Sequence, residues 1–429
     1  MLWVANFAEI LTEFHLPTFT ARAECLGLQV EPRMPYSSPV LLFTTPGSYV
    51  DTFRTIEGFL SSLILLKEYG LLLAEGTSYE ELILDPTALD ARIASSLSDI
   101  AAIIGKDVHD LTFGFGMNVV GQKVQNSKKV EQYHQIIGTC PSLLPLACNL
   151  RTPDVRFVIV DDQLSVQRGI GERRLFLVLQ SSLYREGAMR LRLHGFNLPT
   201  RCFIGPTSMD PELAFIMCEV AKVKSGYVVC DPFAGTCSIL VSAAFYGCIA
   251  VGGDLDIKIL RGKGGKQHYS QNFISYGLPQ PLLSLHDAHK PAYRQEVFDA
   301  ILCDPPYSIR AGARVANSRA GYGFKNIADK ENVADLFLAV LDFAALTLRV
   351  GGRLAFWLPY LIEYHEDSDI PQHADFELVT SPSQKLTGGY GRRLCVFERR
   401  RRSEPSVRAS YSGVPSHRRL TQTLGYIRA

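Results

Sequence analysis

The sequence lacks the motifs of several common protein classes. Its ten cysteines include no CxxC pair and no His/Cys spacing typical of a metal site, so we predict no metal centre. Its strand and turn at 228–237, "VVCDPFAGTC", have no Gly-Lys-Ser/Thr after them and are not a good GxGxxG, which argues against a P-loop and a phosphate ligand. Most cysteines lie in apolar stretches, as expected of reduced, buried thiols in an intracellular protein.

Targeting and membrane-spanning segments are also missing. The N-terminus has no basic region followed by an apolar core and a small-residue cleavage site. The most apolar window, "LSSLILLKEYGLLLAEG" (60–76), contains Lys67 and Glu68 and is too short to span a membrane. We therefore expect a core helix in this window and a soluble protein of the cytoplasm, with the nucleus as an alternative.

Length and charge indicate more than one folded unit. A chain of 429 residues with 47% apolar residues is too long for one ordinary core. The net charge of +1 conceals eight arginines and one acid between Arg399 and Ala429. We predict an α+β domain at 1–195, a second domain at 196–400, and a basic, flexible tail at 401–429.

From about Phe203 onward, short apolar strands alternate with helical segments. This alternation predicts an α/β, Rossmann-like domain with a mostly parallel sheet. The last two strands, "FELVTS" and "RRLCVFER", flank a glycine-rich turn and predict an antiparallel hairpin at the sheet edge. Residues 311–332 have no periodicity, and a loop of that length inside a domain is typically functional or disordered.

Three acids follow successive strands of this series. The turn after Asp231, with Gly235 and Thr236, can direct backbone amides and a helix N-terminus at a ligand containing a carboxylate and an adenosine. Asp254 ends the next strand, where doubly wound folds bind ribose hydroxyls, and Asp256 is the alternative. Asp287, with Ala288 beside it, ends the third strand and is either an acceptor for an adenine amine or a helix N-cap.

The fourth strand ends in "DPPY", residues 304–307. The exocyclic amine of a base is a poor nucleophile, because its lone pair is delocalised into the ring. The Asp304 carboxylate and the Pro305 carbonyl can accept its hydrogens, while Pro305 and Pro306 fix the backbone. Tyr307 offers a flat surface on which a base can stack. This combination predicts methyl transfer to an amine by positioning and charge placement.

Several segments resemble a known family. "RCFIGPTSMDPELAFIMC", "DPFAGTCSILVSAAFYG", "DAILCDPPYSIR", "GGRLAFWLPY" and "RRLCVFE" are similar to the catalytic subunits of the eukaryotic tRNA (guanosine-10-N2)-methyltransferases. That family consists of THUMP-containing, S-adenosylmethionine-dependent class I methyltransferases. The resemblance covers about 201–399 well, and "CNLRTPDVRFVIV" (148–160) more faintly resembles the THUMP signature. It implies a tRNA substrate, S-adenosylmethionine as cofactor, and a heterodimer with a small zinc-binding activator subunit.

The family's site residues carry over onto matching positions. Those that the motifs assign to the cofactor are Ser208, Asp231, Phe233, Gly235, Thr236, Asp254, Asp287 and Ala288. Those that the motifs assign to catalysis are Asp304, Pro305, Pro306 and Tyr307. Ser208 or Asp210 is expected to cap the helix that precedes the first strand. One departure is Cys237, which stands where the family usually has a second glycine and would be strained at a positive φ.

Basic residues indicate where RNA could bind. Arg310, Arg314 and Arg319 flank the predicted target pocket, and the arginine-rich tail is either a phosphate contact or a solvated segment. Other readings stay open: methylation of another RNA or DNA base, methylation of a glutamine amide, or a non-catalytic RNA-binding scaffold. Asp304 in place of Asn counts against glutamine, the THUMP-like segment counts against DNA, and Cys237 is the only support for a scaffold.

Overall fold

The computed structural model describes most of the chain. The described residues are 1–34, 39–121, 125–169, 171–181, 188–205, 208–256, 268–306, 314–316, 324–326, 333–364, 367–386, 389–402, 404 and 406–412. The chain divides into two compact units. Unit 1 comprises Met1–His15 and Leu26–Arg192, and unit 2 comprises Leu16–Cys25 and Leu193–Ala429.

Unit 1 contains an eight-stranded sheet in the order β2-β3-β1-β4-β8-β7-β5-β6. Strand β5 is parallel to β6 and β7, and the other neighbours are antiparallel. The strands are β1 (Leu2–Phe7), β2 (Glu31–Pro32), β3 (Val40–Thr44), β4 (Leu66–Gly76), β5 (Thr112–Val120), β6 (Ala147–Cys148), β7 (Val155–Asp162) and β8 (Arg174–Ser181).

The helices up to the end of unit 1 are α1 (His15–Cys25), α2 (Tyr49–Ser61), α3 (Tyr79–Leu82), α4 (Pro86–Ile104), α5 (Asn126–Thr139), α6 (Leu164–Gln167) and α7 (Ala188–Leu193). Short 3-10 helices lie at Thr12–Phe14, Val108–Asp110 and Pro141–Leu143. Helix α4 shows how local sequence sets its limits. Asp85 accepts a hydrogen bond from the Ala88 N–H, Pro86 occupies the first turn, and Gly105 ends the helix at φ +72°.

The predicted core helix at 60–76 is wrong. Helix α2 ends at Ser61, and residues from Leu66 onward form β4. Strand β4 lies between β1 and β8 in the middle of the sheet, where both of its faces are covered. A strand buried on both faces has an unbroken apolar sequence, so its period cannot be distinguished from that of a buried helix.

Unit 2 contains a second sheet in the order β11-β10-β9-β12-β15-β18-β16, with β17 paired to β18. Strands β11 to β15 along this order are parallel, and β18 is antiparallel to both of its neighbours. The strands are β9 (Val228–Asp231), β10 (Ile249–Asp254), β11 (Leu282–Leu285), β12 (Phe298–Cys303), β13 (Arg314–Ala316), β14 (Phe324–Asn326), β15 (Leu348–Leu361), β16 (Phe376–Thr380), β17 (Ser383–Lys385) and β18 (Tyr390–Arg399).

The remaining helices of unit 2 are α8 (Pro211–Val220), α9 (Ser238–Phe245), α10 (Ser270–Ser275) and α11 (Val333–Thr347). Short 3-10 helices lie at His194–Phe196, Leu198–Thr200, Ile362–Tyr364 and Asp367–Asp369. Helix α11 packs its aromatic residues on the sheet, where Phe337 stacks on Phe356 at 5.6 Å between ring centroids. Helix α11 ends at Thr347, and residues from Leu348 onward are already strand.

The Rossmann-like fold class is confirmed, and so is the antiparallel addition at its end. Strand β18 lies between β15 and β16, so the final hairpin joins the sheet through its second strand. The chain passes from β9 outward to β11 and then returns to β12 on the other side of β9. In such sheets, ligands bind at the carboxyl ends of the strands on either side of this reversal, which here are β9 and β12.

One segment of the N-terminal sequence belongs to unit 2. Within α1, the Arg22 side chain donates to the Val223 carbonyl at 3.2 Å and lies over the Tyr246 ring at 5.3 Å. Glu24 accepts from Arg353 at 3.2 Å. Leu16–Cys25 lies inside the 1–195 range predicted as a separate domain, but its contacts join it to the second sheet.

The predicted flexible tail is partly anchored. The Ala409 N–H donates to Asp342 at 2.8 Å, the Tyr411 hydroxyl donates to the Ala334 carbonyl at 3.0 Å, and the backbones of Ser410 and Gln372 exchange two hydrogen bonds. These contacts correct the prediction for residues 409–411, because backbone pairing and a packed tyrosine compensate for the ordering of a polar segment. The rest of the tail, from residue 413, lies outside the described residues.

No helix among the described residues is long and apolar enough to cross a membrane.

Candidate active site

The carboxyl edge of the second sheet contains the four acids singled out in the sequence. Asp231 and Asp254 are the last residues of β9 and β10. Asp287 lies two residues after β11, and Asp304 directly follows β12. Because these strands are parallel neighbours, their carboxyl ends lie along one edge and these acids share it.

Asp231 is the most buried of these acids, with 1% of its surface exposed. Its carboxylate accepts a hydrogen bond of 3.0 Å from the Phe233 N–H. Burial raises the pKa of Asp231 well above its usual range, that hydrogen bond lowers it, and the charges of Asp254 and Asp304 raise it further. Three carboxylates therefore interact at this edge.

The turn after Asp231 packs closely against β10. The Ala234 N–H donates to the Gly253 carbonyl at 2.8 Å. A Cβ at Gly252 would lie 2.9 Å from the Ala234 Cβ and 2.5 Å from Leu283, so only glycine permits this approach. Gly235 then adopts φ +48°, which reverses the chain toward α9.

Cys237 confirms the strain expected from its sequence position. It has φ +62° and ψ +25°, the left-handed region, and directly precedes α9. Its side chain is fully buried, and burial followed by the charges of Asp231 and Asp254 raises the pKa of the thiol well above its usual range. A cysteine there carries the strain that the glycine usual in the family would avoid.

Asp254 connects the turn to the second strand. One carboxylate oxygen accepts from the Gly235 N–H at 2.9 Å, and the other accepts from the Asp256 N–H at 2.7 Å. A carboxylate oxygen can accept more than one hydrogen bond, so these contacts orient the group without excluding hydroxyl donors. Asp256, two residues after the end of β10, contributes its backbone N–H to this arrangement.

A hydrogen-bonded chain connects the lead-in segment to the same turn. The Ser208 hydroxyl lies 2.9 Å from the Thr236 hydroxyl and accepts from the Gly205 N–H at 2.9 Å. Thr236 lies 3.3 Å from the Ser238 hydroxyl, to which the buried Arg201 donates at 2.9 Å. Asp210, not Ser208, caps α8 by accepting from the Glu212 N–H.

Sequence reasoning missed two residues that position this segment. Arg201 also donates to the Phe196 carbonyl at 3.1 Å. Asn272, fully buried in α10, accepts from the Phe203 N–H and donates to the Phe203 carbonyl, both at 2.8 Å. For Asn272 the signal available was a polar residue beside Phe273 in a short helix, whereas Arg201 lies outside every helix and strand and no periodic pattern pointed to it.

Asp287 begins a tight turn. Its carboxylate accepts from the backbone N–H of His289 at 3.0 Å, and the His289 imidazole lies 3.0 Å from the same oxygen. Residues 288–290 form a turn with no helix, so the N-cap alternative is wrong. Ala288 is buried beside it. The preceding His286 donates its backbone N–H to the Asp254 carbonyl at 3.1 Å, which fixes the third strand end against the second.

The fourth strand end contains the rigid segment. Asp304 is half-buried and Pro305 is buried. Cys303 pairs with Phe356 of β15, so Asp304 lies next to Trp357 along the sheet. Tyr307, Arg310 and Arg319 lie outside the described residues. Arg314 begins β13, which pairs with β14, but its side chain lies outside them too.

The donor and acceptor set fits an adenosine-containing methyl donor better than a metal ion. Among the described residues, no group of three or more His, Cys, Asp or Glu side chains is arranged to coordinate a metal. Carboxylates at two successive strand ends suit ribose hydroxyls and an adenine amine. The glycine at φ +48° and the hydroxyls of Ser208 and Thr236 suit a polar amino-acid moiety.

Comparisons with known proteins agree with this geometry. Residues 199–335 match the family model described as RMKL-like, methyltransferase domain. The chain is 38% identical over 219 residues to the tRNA (guanine(10)-N(2))-methyltransferase TRMT11 of Dictyostelium discoideum, covering 48% of this chain and 43% of the relative. It is 36% identical over 240 residues to the human protein of that name, covering 49% and 51%.

Among solved structures, TrmN from Thermus thermophilus covers 93% of this chain and 100% of that chain, at 20% identity and a TM-score of 0.45. The chain spans about half the length of the two curated relatives it matches here. The matches confirm the resemblance predicted from the motifs, and residues 199–335 are similar to a methyltransferase domain of the RMKL-like type.

Proposed function

We propose that this chain transfers a methyl group from S-adenosylmethionine to the exocyclic N2 of guanosine at position 10 of tRNA. The observation that carries the proposal is the placement of Asp231, Asp254 and Asp304 on one edge of a Rossmann-like sheet, with the rigid Asp-Pro-Pro segment directly after β12. The curated tRNA (guanine(10)-N(2))-methyltransferases support the choice of substrate.

The cofactor would lie along the carboxyl edge. Asp254 would accept the ribose hydroxyls, and Asp287 with Ala288 would contact the adenine. Asp231, Phe233, Gly235, Thr236 and Ser208 would surround the amino-acid moiety. When bound, S-adenosylmethionine supplies a methyl group on a positively charged sulfur. Because three carboxylates interact at this edge, a cationic ligand there reduces their mutual repulsion.

Asp304 and the prolines would orient the nucleophile. The Asp304 carboxylate and the Pro305 carbonyl would accept hydrogen bonds from the two N–H groups of the guanine amine. These hydrogen bonds would direct the nitrogen lone pair toward the methyl group. Pro306 restricts the backbone of Pro305 and therefore fixes its carbonyl. The Asp304 carboxylate also stabilises the positive charge that develops on the amine. Tyr307 would stack on the base.

The RNA would bind on more than one surface. We assign residues 1–195 to a THUMP-like RNA-binding domain, with the exception that Leu16–Cys25 packs in unit 2. Arg310, Arg314 and Arg319 would contact phosphates beside the target pocket. Residues 196–400 would then supply the chemistry, and residues 401–429 a basic tail that is anchored at its start.

A small zinc-binding activator subunit would bind the second sheet along β11. Strand β11 is one of the two edge strands of this sheet among the described residues, and it exposes Leu282 (64%) and Leu285 (43%), more than the apolar residues of the other edge strand, β16. Ile274 of α10, just before this strand, is 70% exposed. An exposed sheet edge that carries apolar side chains is a surface suited to binding another chain. We place the heterodimer in the cytoplasm.

The partner is tested by coexpression of this chain with the activator and measurement of the copurified complex. The double variant Leu282→Asp, Leu285→Asp should lose the activator, while Leu84→Asp, at an 80% exposed leucine of unit 1, should retain it. Equal recovery of the complex with both variants would exclude β11 as the binding edge.

The activity is tested by incubating the chain, with and without the activator, with labelled S-adenosylmethionine and unmodified tRNA, followed by nucleoside analysis. N2-methylguanosine at position 10 supports the proposal. Label in another base would show that the enzyme is an amino-methyltransferase with a different target base. Binding of tRNA and cofactor with no transfer would indicate a non-catalytic scaffold.

A further inference from the structure

We infer that Arg392 is a phosphate-binding residue for the RNA substrate, located beside the target pocket. This inference rests on the proposed function, since it assigns a contact for the same RNA. It depends on three features of the described residues: the ring beneath the guanidinium, the hydrogen bond that orients it, and its position on the sheet.

The guanidinium of Arg392 is stacked. Its Cζ lies 4.5 Å from the centroid of the Trp357 ring, and Trp357 is fully buried in β15. An arginine over a buried tryptophan has its plane fixed, so it loses little conformational entropy when it binds a ligand.

A single hydrogen bond sets its rotation. Arg392 Nε donates to the Gln384 side-chain oxygen at 2.9 Å, and Gln384 lies opposite Arg392 in the register of β17 and β18. Within the part of the chain that the structure describes, the two terminal amino groups of Arg392 form no hydrogen bond or ion pair. A planar pair of amino groups is the arrangement that binds a phosphate through two parallel hydrogen bonds.

Arg392 lies beside the proposed binding site of the target base. Arg392 pairs with Pro359 near the carboxyl end of β15, two residues from Trp357 along that strand. Asp304 follows β12, the strand on the other side of β15. Two strand spacings separate β12 from β18, about 10 Å at ~4.8 Å per spacing. At that distance a base contacting Asp304 cannot also reach Arg392, whereas a phosphate of a neighbouring nucleotide can.

The neighbouring Arg400 and Arg353 differ from Arg392 because their guanidinium groups form ion pairs. Arg400 directly follows β18, at the end of that strand farthest from Arg392. It forms ion pairs with Glu377 and Glu398. Arg353 is bonded to Glu398 and to the Val220 carbonyl. Their charges are compensated inside the protein, whereas the charge of Arg392 lies over an aromatic ring.

The test compares Arg392→Gln with Arg400→Gln, which removes the same charge directly after the end of β18, far from the target site. The tRNA dissociation constant is measured at several KCl concentrations. We expect Arg392→Gln to weaken tRNA binding about tenfold and to lower the salt slope by about 1, since one phosphate contact is lost. The maximal rate at saturating tRNA, the cofactor dissociation constant and the urea midpoint should stay at wild-type values. Arg392→Lys should restore the salt slope and only part of the affinity.

Equal salt slopes for wild type and Arg392→Gln would overturn the inference. So would a loss of maximal rate at saturating tRNA, which would assign Arg392 to the target base, or a lower urea midpoint, which would assign it to packing around Trp357. If the wild-type chain binds tRNA but transfers no methyl group, the proposed function is wrong. The comparison of salt slopes still tests whether Arg392 contacts a phosphate of the bound tRNA.

Discussion

The two ends of the second sheet use charge in opposite ways. Toward the amino ends of β12 and β15, acids lie beside arginines: Arg353 contacts Glu398 at 3.0 Å, and Arg399 contacts Asp375 at 3.5 Å. At the carboxyl edge, Asp231 lies near Asp254 and Asp304. We call the first group the amino-side ion pairs and the second the carboxyl-edge acids.

The pKa values express the difference. Burial raises the pKa of Glu398, but the hydrogen bond from Arg353 and the charges of Lys222, Arg353 and Arg400 outweigh it, so the pKa is lowered overall. Burial and neighbouring acids raise the pKa of Asp231. The amino-side ion pairs therefore stabilise the fold by themselves, whereas the buried Asp231 beside two other acids reduces its stability and would be stabilised by a cationic ligand. Destabilised groups of this kind concentrate at functional sites.

The largest effect is expected at Asp304. Asp304→Ala should lower the single-turnover rate at saturating cofactor and tRNA by on the order of 10²–10³, because a preorganised contact to the reacting amine is lost. Asp304→Asn keeps one acceptor without charge and should retain more activity than the alanine variant. Cofactor binding should persist in both. The exposed Asp335→Asn serves as the control, and a wild-type rate for Asp304→Ala would remove the catalytic role of the carboxyl edge.

The amino-side ion pairs should dominate stability. Arg353 has 5% of its side chain exposed, and Arg353→Leu removes the buried partner of Glu398 while Lys222 and the exposed Arg400 remain beside it. We expect a loss of about 2 kcal/mol in the free energy of unfolding, measured by urea titration, because a buried charge-assisted hydrogen bond is lost. Arg349→Gln removes a pair with Asp299 whose arginine is 52% exposed, and should cost at most about 1 kcal/mol. Similar losses for the two variants would contradict the contrast.

Asp254 should affect the cofactor more than the fold. Asp254→Ala removes charge-assisted hydrogen bonds to the ribose, so the S-adenosylmethionine dissociation constant should rise roughly 10- to 100-fold, equivalent to about 1.5–3 kcal/mol. Isothermal calorimetry measures it. Asp256→Ala should leave the constant unchanged, since Asp256 contributes a backbone N–H. An unchanged constant in Asp254→Ala would refute the ribose assignment.

The amino-side ion pairs and the carboxyl-edge acids should change the stability of the fold in opposite directions as pH rises. Glu398 has a lowered pKa, so its stabilising effect is present above the unfolded pKa and disappears as pH falls through the folded value. Asp231 has a raised pKa, so the folded state binds the proton more tightly and stability falls as pH rises through that value.

Asp231→Asn should therefore increase the free energy of unfolding of the ligand-free chain at pH 7–8, and the gain should shrink at acidic pH. The asparagine oxygen can still accept the hydrogen bond from Phe233. Urea titrations of both proteins across the pH range supply the measurement. A gain that stays constant with pH would show that the charge of Asp231 is not responsible.

The smallest effect concerns backbone strain at the carboxyl edge. Cys237→Gly should stabilise the chain by about 0.5–1 kcal/mol, because left-handed strain of roughly 1–2 kcal/mol is relieved while glycine costs some entropy in the unfolded state. Cys237→Ala retains the Cβ and therefore the strain, and it is the matched control. Thermal melts suffice, and equal melting temperatures for Gly and Ala would contradict the assignment of strain to φ.

The secondary structure of the second half of the chain was predicted well from local motifs. That of the first half was predicted poorly, because it contains long buried stretches. The alternation of strands and helices after Phe203 depends on short-range periodicity, so the parallel sheet and its acid-tipped strands were predictable. The β4 segment at Leu66–Gly76 was predicted as helix, since a strand covered on both faces has no alternating pattern. Cys237 could be singled out only through the resemblance, because the family usually has a glycine at this position.

The sequence by itself determined the succession of strands along the chain in unit 2, the acids that follow them and the rigid Asp-Pro-Pro segment, because each depends on residues adjacent in the chain. Only the tertiary structure decided which charges meet. Glu24 and Arg353 are 329 residues apart yet lie 3.2 Å from each other, and Arg392 lies over Trp357 through strand pairing. Long-range contacts of this kind follow from sheet order and helix packing, which no local pattern encodes.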